Sequence, residues 1–376
     1  MTFEEARAQF PVLERYAYLN AGTFGPMSHA VAEAMAAEQL RALEEGRVNR
    51  DAFVRYLEDR ARVREGFASV LGIPVENVAL TTSTSEGCNV VLNGLDLDVG
   101  DEIVTTDSEH FGLIGPLVVS PATVRVARVR DLPADEAFET ILAEVGPRTR
   151  LIALSEVLWV TGHRIPWREL REETGVPLLV DGAQAAGAIP VDASEADFYT
   201  VSAQKWLCGP DLTGALSVRD PGSLRLKQPS YLSQREYDLA EASFVPREGA
   251  DRFDTHFTPF AVIAGLLAAF ELHPEWRFER GAEVSARCRE LLAERVDVRT
   301  EPGHANLVSF RVEDPEATVA RLAENGVIVR DLPGTGLVRA SCGWWTSDED
   351  LDRLVAALYS GANKSTTCPS RSRTCA

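Results

Sequence analysis

The chain has 376 residues, 45% hydrophobic and 25% charged, with a formal net charge of −19. That length holds one large core or two moderate ones, and the composition is that of an ordinary globular protein, not a disordered or fibrous one. The acidic balance excludes a nucleic-acid partner, which needs a cationic face, and no basic run occurs before the last dozen residues.

Met1-Thr2-Phe3-Glu4-Glu5 opens with acids and lacks the basic and apolar regions of a signal peptide, so the protein is expected to stay in the cytoplasm. Thr2 to Phe10 reads as a short amphipathic helix stopped by Pro11. Tyr16 to Pro26 reads as a short strand running into a turn-rich loop, and Ser28 to about Leu71 as two or three helices broken near Gly46. From Val78 to about Val218 the pattern changes to short apolar runs separated by helix-length stretches. The runs begin at Val78, Glu102, Val124, Leu151, Pro177, Asp197 and Gly214. Near-continuous apolar strands alternating with helices predict an α/β fold, a mainly parallel sheet covered on both faces. Ligands of such a sheet sit at the C-terminal ends of its strands.

Gly222 to Asp251 reads as a polar connection. A long helix follows from Pro259 into Glu271, and its apolar run, the longest in the chain, is too short to cross a bilayer, so no membrane partner is expected. A smaller α+β lobe then runs to about Ser360. Its predicted elements are a helix near Ala282 to Glu294, a strand near Leu307 to Val312 and a helix near Pro315 to Asn325. Strands around Val327 to Arg330 and Leu337 to Ser341 and a last helix from Asp348 complete it. The tail from Gly361 has too few apolar residues to pack and is expected to be disordered. The expected organisation is thus a helical segment over 1–15 packing on the small lobe, a large domain over 16–258, a small one over 259–360 and a tail over 361–376. The six cysteines show no metal-ligand spacing and the six histidines no HExxH pattern, so no metal site is expected.

Only three of the 38 basic residues are lysines: Lys205, Lys227 and Lys364. Arginine cannot replace lysine where an amine must lose its proton and attack a carbonyl. Lys205 follows a predicted strand ending at Ser202, in Ser202-Ala-Gln204-Lys205-Trp-Leu-Cys-Gly-Pro210, where apolar neighbours desolvate its ammonium and lower its pKa. Another strand ends at Asp181, in Val180-Asp181-Gly-Ala-Gln184. Alone, Asp181 is either a helix N-cap or a carboxylate at the ligand edge. Beside a Schiff-base lysine it gains a role, because pyridoxal 5′-phosphate (PLP) is an electron sink when an acid keeps its ring nitrogen protonated. Thr81-Thr-Ser83-Thr84-Ser85-Glu86 joins a strand to a helix with Ser83 and Glu86 at capping-box spacing. It is either an ordinary cap or a phosphate site with free N–H groups and hydroxyls. His110, after the strand ending at Thr106, is either a surface or core histidine or a ring that stacks on a flat cofactor.

Together these residues resemble the class V aminotransferase family, the cysteine desulfurase-like group of fold-type I PLP enzymes, from Tyr18-Leu-Asn20 to Leu351-Asp-Arg-Leu354. The resemblance implies Lys205 as the Schiff-base lysine, Asp181 as the pyridinium partner, Gln184 on the ring hydroxyl and His110 stacked on the ring. It also implies Thr84, Ser85, Ser202 and Gln204 on the phosphate, and Asn20 and Arg339 on the amino-acid substrate. Arg339, in Val338-Arg339-Ala-Ser-Cys-Gly-Trp-Trp, suits a carboxylate through its planar fork, the other possibility being an ordinary surface arginine. Arg252-Phe-Asp-Thr-His-Phe-Thr258-Pro resembles the segment that lends a threonine to the neighbouring subunit's phosphate in family homodimers, with one extra residue before Thr258.

The chain departs from desulfurases in two places. The loop from Asp331 to Val338 lacks the cysteine that accepts persulfide sulfur, and Glu156 stands where desulfurases place an asparagine near the ring. A standard desulfurase is disfavoured, and the expected activity is chemistry at the α-carbon of an amino acid. Transamination ranks ahead of C–S lyase chemistry, epimerisation comes third, and a PLP-binding regulatory module without turnover is the non-enzyme alternative.

Overall fold

The computed structural model describes residues 1–47 and 49–359. Seven strands form the central sheet in the order Val78–Thr81, Gly214–Val218, Phe198–Ser202, Leu178–Asp181, Thr149–Ser155, Glu102–Thr106 and Thr123–Ala127. Each matches a predicted apolar run. Neighbours run parallel except at Gly214–Val218, which is antiparallel to both strands beside it. The segment between Ser202 and Gly214 contains no crossover helix, so the chain can only return antiparallel there. Successive side chains feed opposite cores. Leu178, Val180, Ile152 and Leu154 join one apolar cluster, while Leu179, Leu151 and Ala153 join the other. Burial on both faces is why these strands read as continuous apolar runs.

A second sheet places Leu337–Ser341 between Leu307–Arg311 and Arg330–Leu332, all antiparallel, with Arg330 directly opposite Arg339. The start of the chain is stitched to this lobe. Ala17–Tyr18 pairs in parallel with Val327–Ile328, Asn20 bridges to Ser341, and Arg7 pairs with Asp350 at 2.7 Å.

Ala17 and Leu19 lie in the smaller sheet's core, whereas Ile263 and Leu266 of the helix Phe260–Leu272 lie in a core of the large sheet. That helix is apolar almost all round, so it needs cover on more than one side. Pro11 does not stop the first helix, which ends at Arg7; it stands at the start of a second short helix, Val12–Arg15, where proline's missing N–H is harmless. The region read as a polar connection contains an antiparallel hairpin, Gln234–Asp238 with Ser243–Pro246. Both its faces are largely exposed, so it lacks the half-buried alternation that marks a strand in sequence. The tail from Gly361 lies outside the described residues. No helix among the described residues is long and apolar enough to cross a membrane.

Asp254 ties the helix Arg50–Leu71 to the sheet. Its carboxylate accepts from Arg60 and Arg64 at 2.8 Å each and from Leu80 N at 2.7 Å, with Asp254, Arg60 and Leu80 buried and Arg64 largely so. Burial alone would raise its pKa, but Arg64 and Arg60 outweigh that and hold it below the usual carboxylate value. A depressed folded pKa means that this stabilisation is complete above about pH 4 and is lost as pH falls further. Asp254→Ala strands two buried guanidinium groups and should cost about 3–5 kcal/mol in denaturant unfolding at pH 7. A loss below about 1 kcal/mol, the size of an exposed ion pair, would contradict this account.

Candidate active site

The C-terminal edges of Phe198–Ser202 and Leu178–Asp181 lie side by side, with Asp181 directly opposite Thr200. Just past Ser202 the chain turns tightly: Gly209 N donates to Ala203 O at 2.9 Å and Cys208 N to Lys205 O at 3.1 Å. Cys208 adopts a left-handed φ of 53° in this turn, a conformation that costs a non-glycine residue about 1–2 kcal/mol. The turn therefore persists because its surroundings enforce it. Gly25 is one such support: its N–H donates to Gln204 O at 2.8 Å, and a Cβ there would stand 2.0 Å from Lys205 O.

The Lys205 side chain carries no hydrogen bond or ion pair among the described residues. Burial lowers its pKa to about 8; the Asp181 charge opposes this, and Arg339 and Arg330 add to it. Asp181 is 4% exposed, and the one hydrogen bond its carboxylate accepts among the described residues comes from Ala183 N at 2.8 Å. Burial raises its pKa, with Lys205 and that bond acting against the rise. Gln184 is partly committed: its amide donates to Gly22 O at 2.9 Å and accepts from Trp206 at 3.0 Å, leaving one N–H.

Ser83 caps the helix Thr84–Gly94 by accepting from Glu86 N at 3.2 Å. The Glu86 carboxylate reaches Thr82 N at 2.5 Å, one residue further back than the capping box expected. Thr84 N donates to Ser202 Oγ at 3.2 Å, joining this helix start to the strand end before Lys205. Gln204 Oε1 is buried there without a partner. Ser85 sits against Gly112, where an added Cβ would lie 2.4 Å from its Oγ and 3.2 Å from His110 Nδ1. Thr258 is the site residue that the structure does not bring to this cradle. Its hydroxyl is buried and engaged by Arg60 at 3.1 Å and His256 at 2.9 Å.

His110 caps the helix Phe111–Val119 by accepting from Gly112 N on Nδ1 at 3.1 Å, which leaves the proton on Nε2. Desolvation, then the charges of Lys205, Arg330 and Arg339, lower its pKa to about 4, so the ring is neutral at pH 7. Its edge meets Trp159, with centroids 5.4 Å apart at 89°. Trp159 also lies under both arginines, Arg330 at 5.9 Å and Arg339 at 6.0 Å from its ring.

Arg339 is fully buried and not the surface arginine that sequence allowed. It donates to Trp159 O at 2.8 Å, while its Nε and Nη2 have no partner. Burial and then Arg330 lower its pKa to about 9. Arg330 donates to Thr23 at 3.2 Å, Thr23 in turn donates to Asn20 Oδ1 at 2.8 Å, and neither arginine forms an ion pair among the described residues. Gly22 allows this approach, since a Cβ there would lie 2.7 Å from Arg339 Nη2.

Sequence reasoning missed Arg330 and Trp159, whose roles depend on strand register and on rings meeting across the cleft. It also left Glu156 near the ring position. The structure turns that carboxylate away, toward Tyr199 at 2.5 Å and Arg164 at 3.3 Å.

An unpaired amine, a buried and nearly unbonded carboxylate and a helix start opening on the same strand edge fit PLP: lysine for its aldehyde, acid for its ring nitrogen, N–H groups for its phosphate. The chain matches the family described as Aminotransferase class-V over residues 20–354. It is 28% identical to isopenicillin N epimerase of Streptomyces clavuligerus, covering 95% of this chain and 97% of that one. It is also 28% identical to the cysteine desulfurase CsdA of Escherichia coli (strain K12), covering 94% and 96%. Two structures of C-DES superpose with TM-scores of 0.86 at 30% identity, covering 94% of this chain and 99% of theirs. One holds glycine covalently linked to the PLP cofactor; the other is the cystine C–S lyase with its reaction product, cysteine persulfide. The chain belongs to the class V aminotransferase family, has the fold of the fold-type I PLP enzymes, and takes PLP as its cofactor.

The lowered Lys205 pKa sets a pH dependence. Cofactor-free protein mixed with PLP should attach it at a rate that rises about tenfold per pH unit below 8 and levels off above, as the amine loses its proton. Borohydride trapping and mass spectrometry read the attachment, and Lys205→Ala should show none at this position. A rate still climbing through pH 10 would remove the lowered amine from the account.

Proposed function

We propose that this enzyme breaks the Cβ–S bond of a sulfur amino acid bearing a second carboxylate, of which cystine is the model substrate. The observation that carries this reading is the pair Arg330 and Arg339. They face each other across adjacent strands, both act on Lys205, and neither has a carboxylate partner among the described residues. Like charges opposite each other destabilise a sheet, so an unpaired pair at the site calls for anionic groups from outside. The likeness to C-DES supports sulfur as the leaving atom.

When bound, PLP supplies the electron sink that makes the α-proton of an amino acid removable. Arg339 would hold the α-carboxylate and Arg330 the distal one, with Asn20 and Thr23 steadying Arg330. Lys205, lacking an ion pair, would take the α-proton on Nζ; Asp181 would hold a proton at the ring nitrogen. His110, neutral with its hydrogen on Nε2, can donate to the departing sulfur. Thr84, Ser85, Ser202 and Gln204 would hold the phosphate through the helix start and its hydroxyls. Among the described residues Cys88, Cys208, Cys288 and Cys342 are all buried, so none of these four offers a thiol for persulfide transfer, which within the described fold favours release of the sulfur product over a desulfurase relay.

Epimerisation is the second reading, favoured by the full-length similarity to isopenicillin N epimerase. A homodimer belongs to the same proposal. An apolar cleft of about 710 Å³ lined by Phe53, Phe257, Pro259 and Phe260 lies beside Thr258, away from Lys205, and suits a second copy better than a substrate. Thr258 would then serve the neighbouring site only if His256 and Arg60 release it.

The test is to give the PLP-loaded protein L-cystine and a panel of other L-amino acids, with no keto acid present. Repeated turnover to pyruvate, ammonia and a persulfide, with the cofactor spectrum restored, is expected. One equivalent of keto acid with the cofactor left in its amine form would establish transamination instead. Solvent deuterium entering the α-position with loss of optical purity and no keto acid would establish epimerisation. Arg330→Leu should raise KM for cystine about 10- to 100-fold, the loss of one charge-assisted contact, and change KM much less for an amino acid with one carboxylate. Equal effects on both would remove Arg330 from the distal carboxylate.

A further inference from the structure

Glu109 is buried one residue before His110, and no step above uses it. Its Oε1 accepts from Thr106 Oγ1 at 2.7 Å, and its Oε2 accepts from Ser155 N at 3.0 Å and Ser155 Oγ at 2.5 Å. Thr106 and Ser155 end adjacent strands, and Ser155 lies directly opposite Asp181 on the next strand. Glu156 N closes the connection by donating to Asp181 O at 3.1 Å. One carboxyl thus clamps the strand end beside Asp181 and fixes the turn that presents His110.

We propose that Glu109 is a positioning residue for the cofactor ring, holding the His110 turn on Ser155 and adding its negative field to that of Asp181. The proposal rests on Asp181 serving the ring nitrogen. Burial first raises the Glu109 pKa to about 7, the bonds from Ser155 and Thr106 oppose this, and Asp181 adds to it. Two buried carboxyls so placed cannot both ionise freely unless a cation stands before them, and a ring protonated at the nitrogen held by Asp181 would be that cation. The other titratable group acting with this carboxyl is the Cys88 thiol, which burial and Asp181 push well up; Lys205, Arg330 and Arg339 act on the neighbouring His110.

The experiment is a pH titration of the bound cofactor's absorption in the holoenzyme and in Glu109→Gln and Ser155→Ala. Glutamine keeps the shape and removes the charge, so less positive charge is stabilised at the cofactor. The absorption midpoint should fall by about half a pH unit or more. Ser155→Ala weakens the bond that favours ionised Glu109 and should move the midpoint the same way by less. A Glu109→Gln protein that binds PLP with an unchanged midpoint overturns the proposal, whatever its melting temperature. If that variant does not fold, Ser155→Ala decides, an unchanged midpoint again overturning it. Failure of the wild type to show a cofactor band would count against the Lys205 and Asp181 reading instead, so the two failures are distinguishable.

Discussion

The site depends on one constraint: an amine must lie next to a carboxylate without being neutralised by it. A direct Lys205–Asp181 ion pair would restore the lysine's basicity and hold it away from an aldehyde. The fold prevents this by spacing. The two residues leave neighbouring strands, Asp181 at the end of its strand and Lys205 three residues past Ser202, so they interact through the field without a bond. The space between them has the chemistry of a flat ring that is basic at one end and electrophilic at the other. Gly25 enforces the position of the lysine turn, and Gly22 brings the same N-terminal loop against Arg339. One short loop thus connects the lysine turn to the buried arginine.

The charges divide accordingly. Among the described residues Arg330 and Arg339 form no ion pair, whereas the buried acids Glu156 and Asp254 are held by protein donors and remain unavailable to a ligand. A burial that strips water from a guanidinium without supplying an acid leaves donors whose hydration a ligand must replace. Arg339 Nε and Nη2 are in that condition, and so is the indole N–H of Trp159. Such donors discriminate strongly, because a substrate lacking the matching acceptor leaves them unsatisfied. Trp159 lies under both guanidinium groups and meets His110 in an edge contact, so one ring touches both cations and the histidine.

What was legible in the sequence was what short-range patterns encode. The strands of the large sheet showed as apolar runs because both faces are buried, and Asp181 and Lys205 stood out because one ends such a run and the other follows one by three residues. Ser83 and Glu86 announced a helix start by spacing alone. Arg330 was missed because its meaning comes from lying opposite Arg339, a register set by the tight turn around Gly334 and Gly336, both with φ of 73°. Glu109 was overlooked beside the more conspicuous His110, since its partners Thr106 and Ser155 come from different strands. Glu156 could be aligned but not aimed: the direction of its carboxylate follows from Tyr199 and Arg164, both distant in sequence.

The scarcity of lysine connects the surface to the chemistry. Lys227 is exposed and lacks the desolvating surroundings of Lys205, whereas the aldehyde of PLP reacts with a neutral amine. Thirty-five of the 38 basic residues are arginines, which carry surface ion pairs such as Arg125 with Glu144 at 2.7 Å without offering a competing amine. Selectivity for Lys205 as the proposed Schiff-base residue would therefore have two physical sources. Burial lowers the Lys205 pKa from the ordinary lysine value, and a cofactor held through its phosphate and ring would present its aldehyde there at high effective concentration, an advantage no surface amine would share.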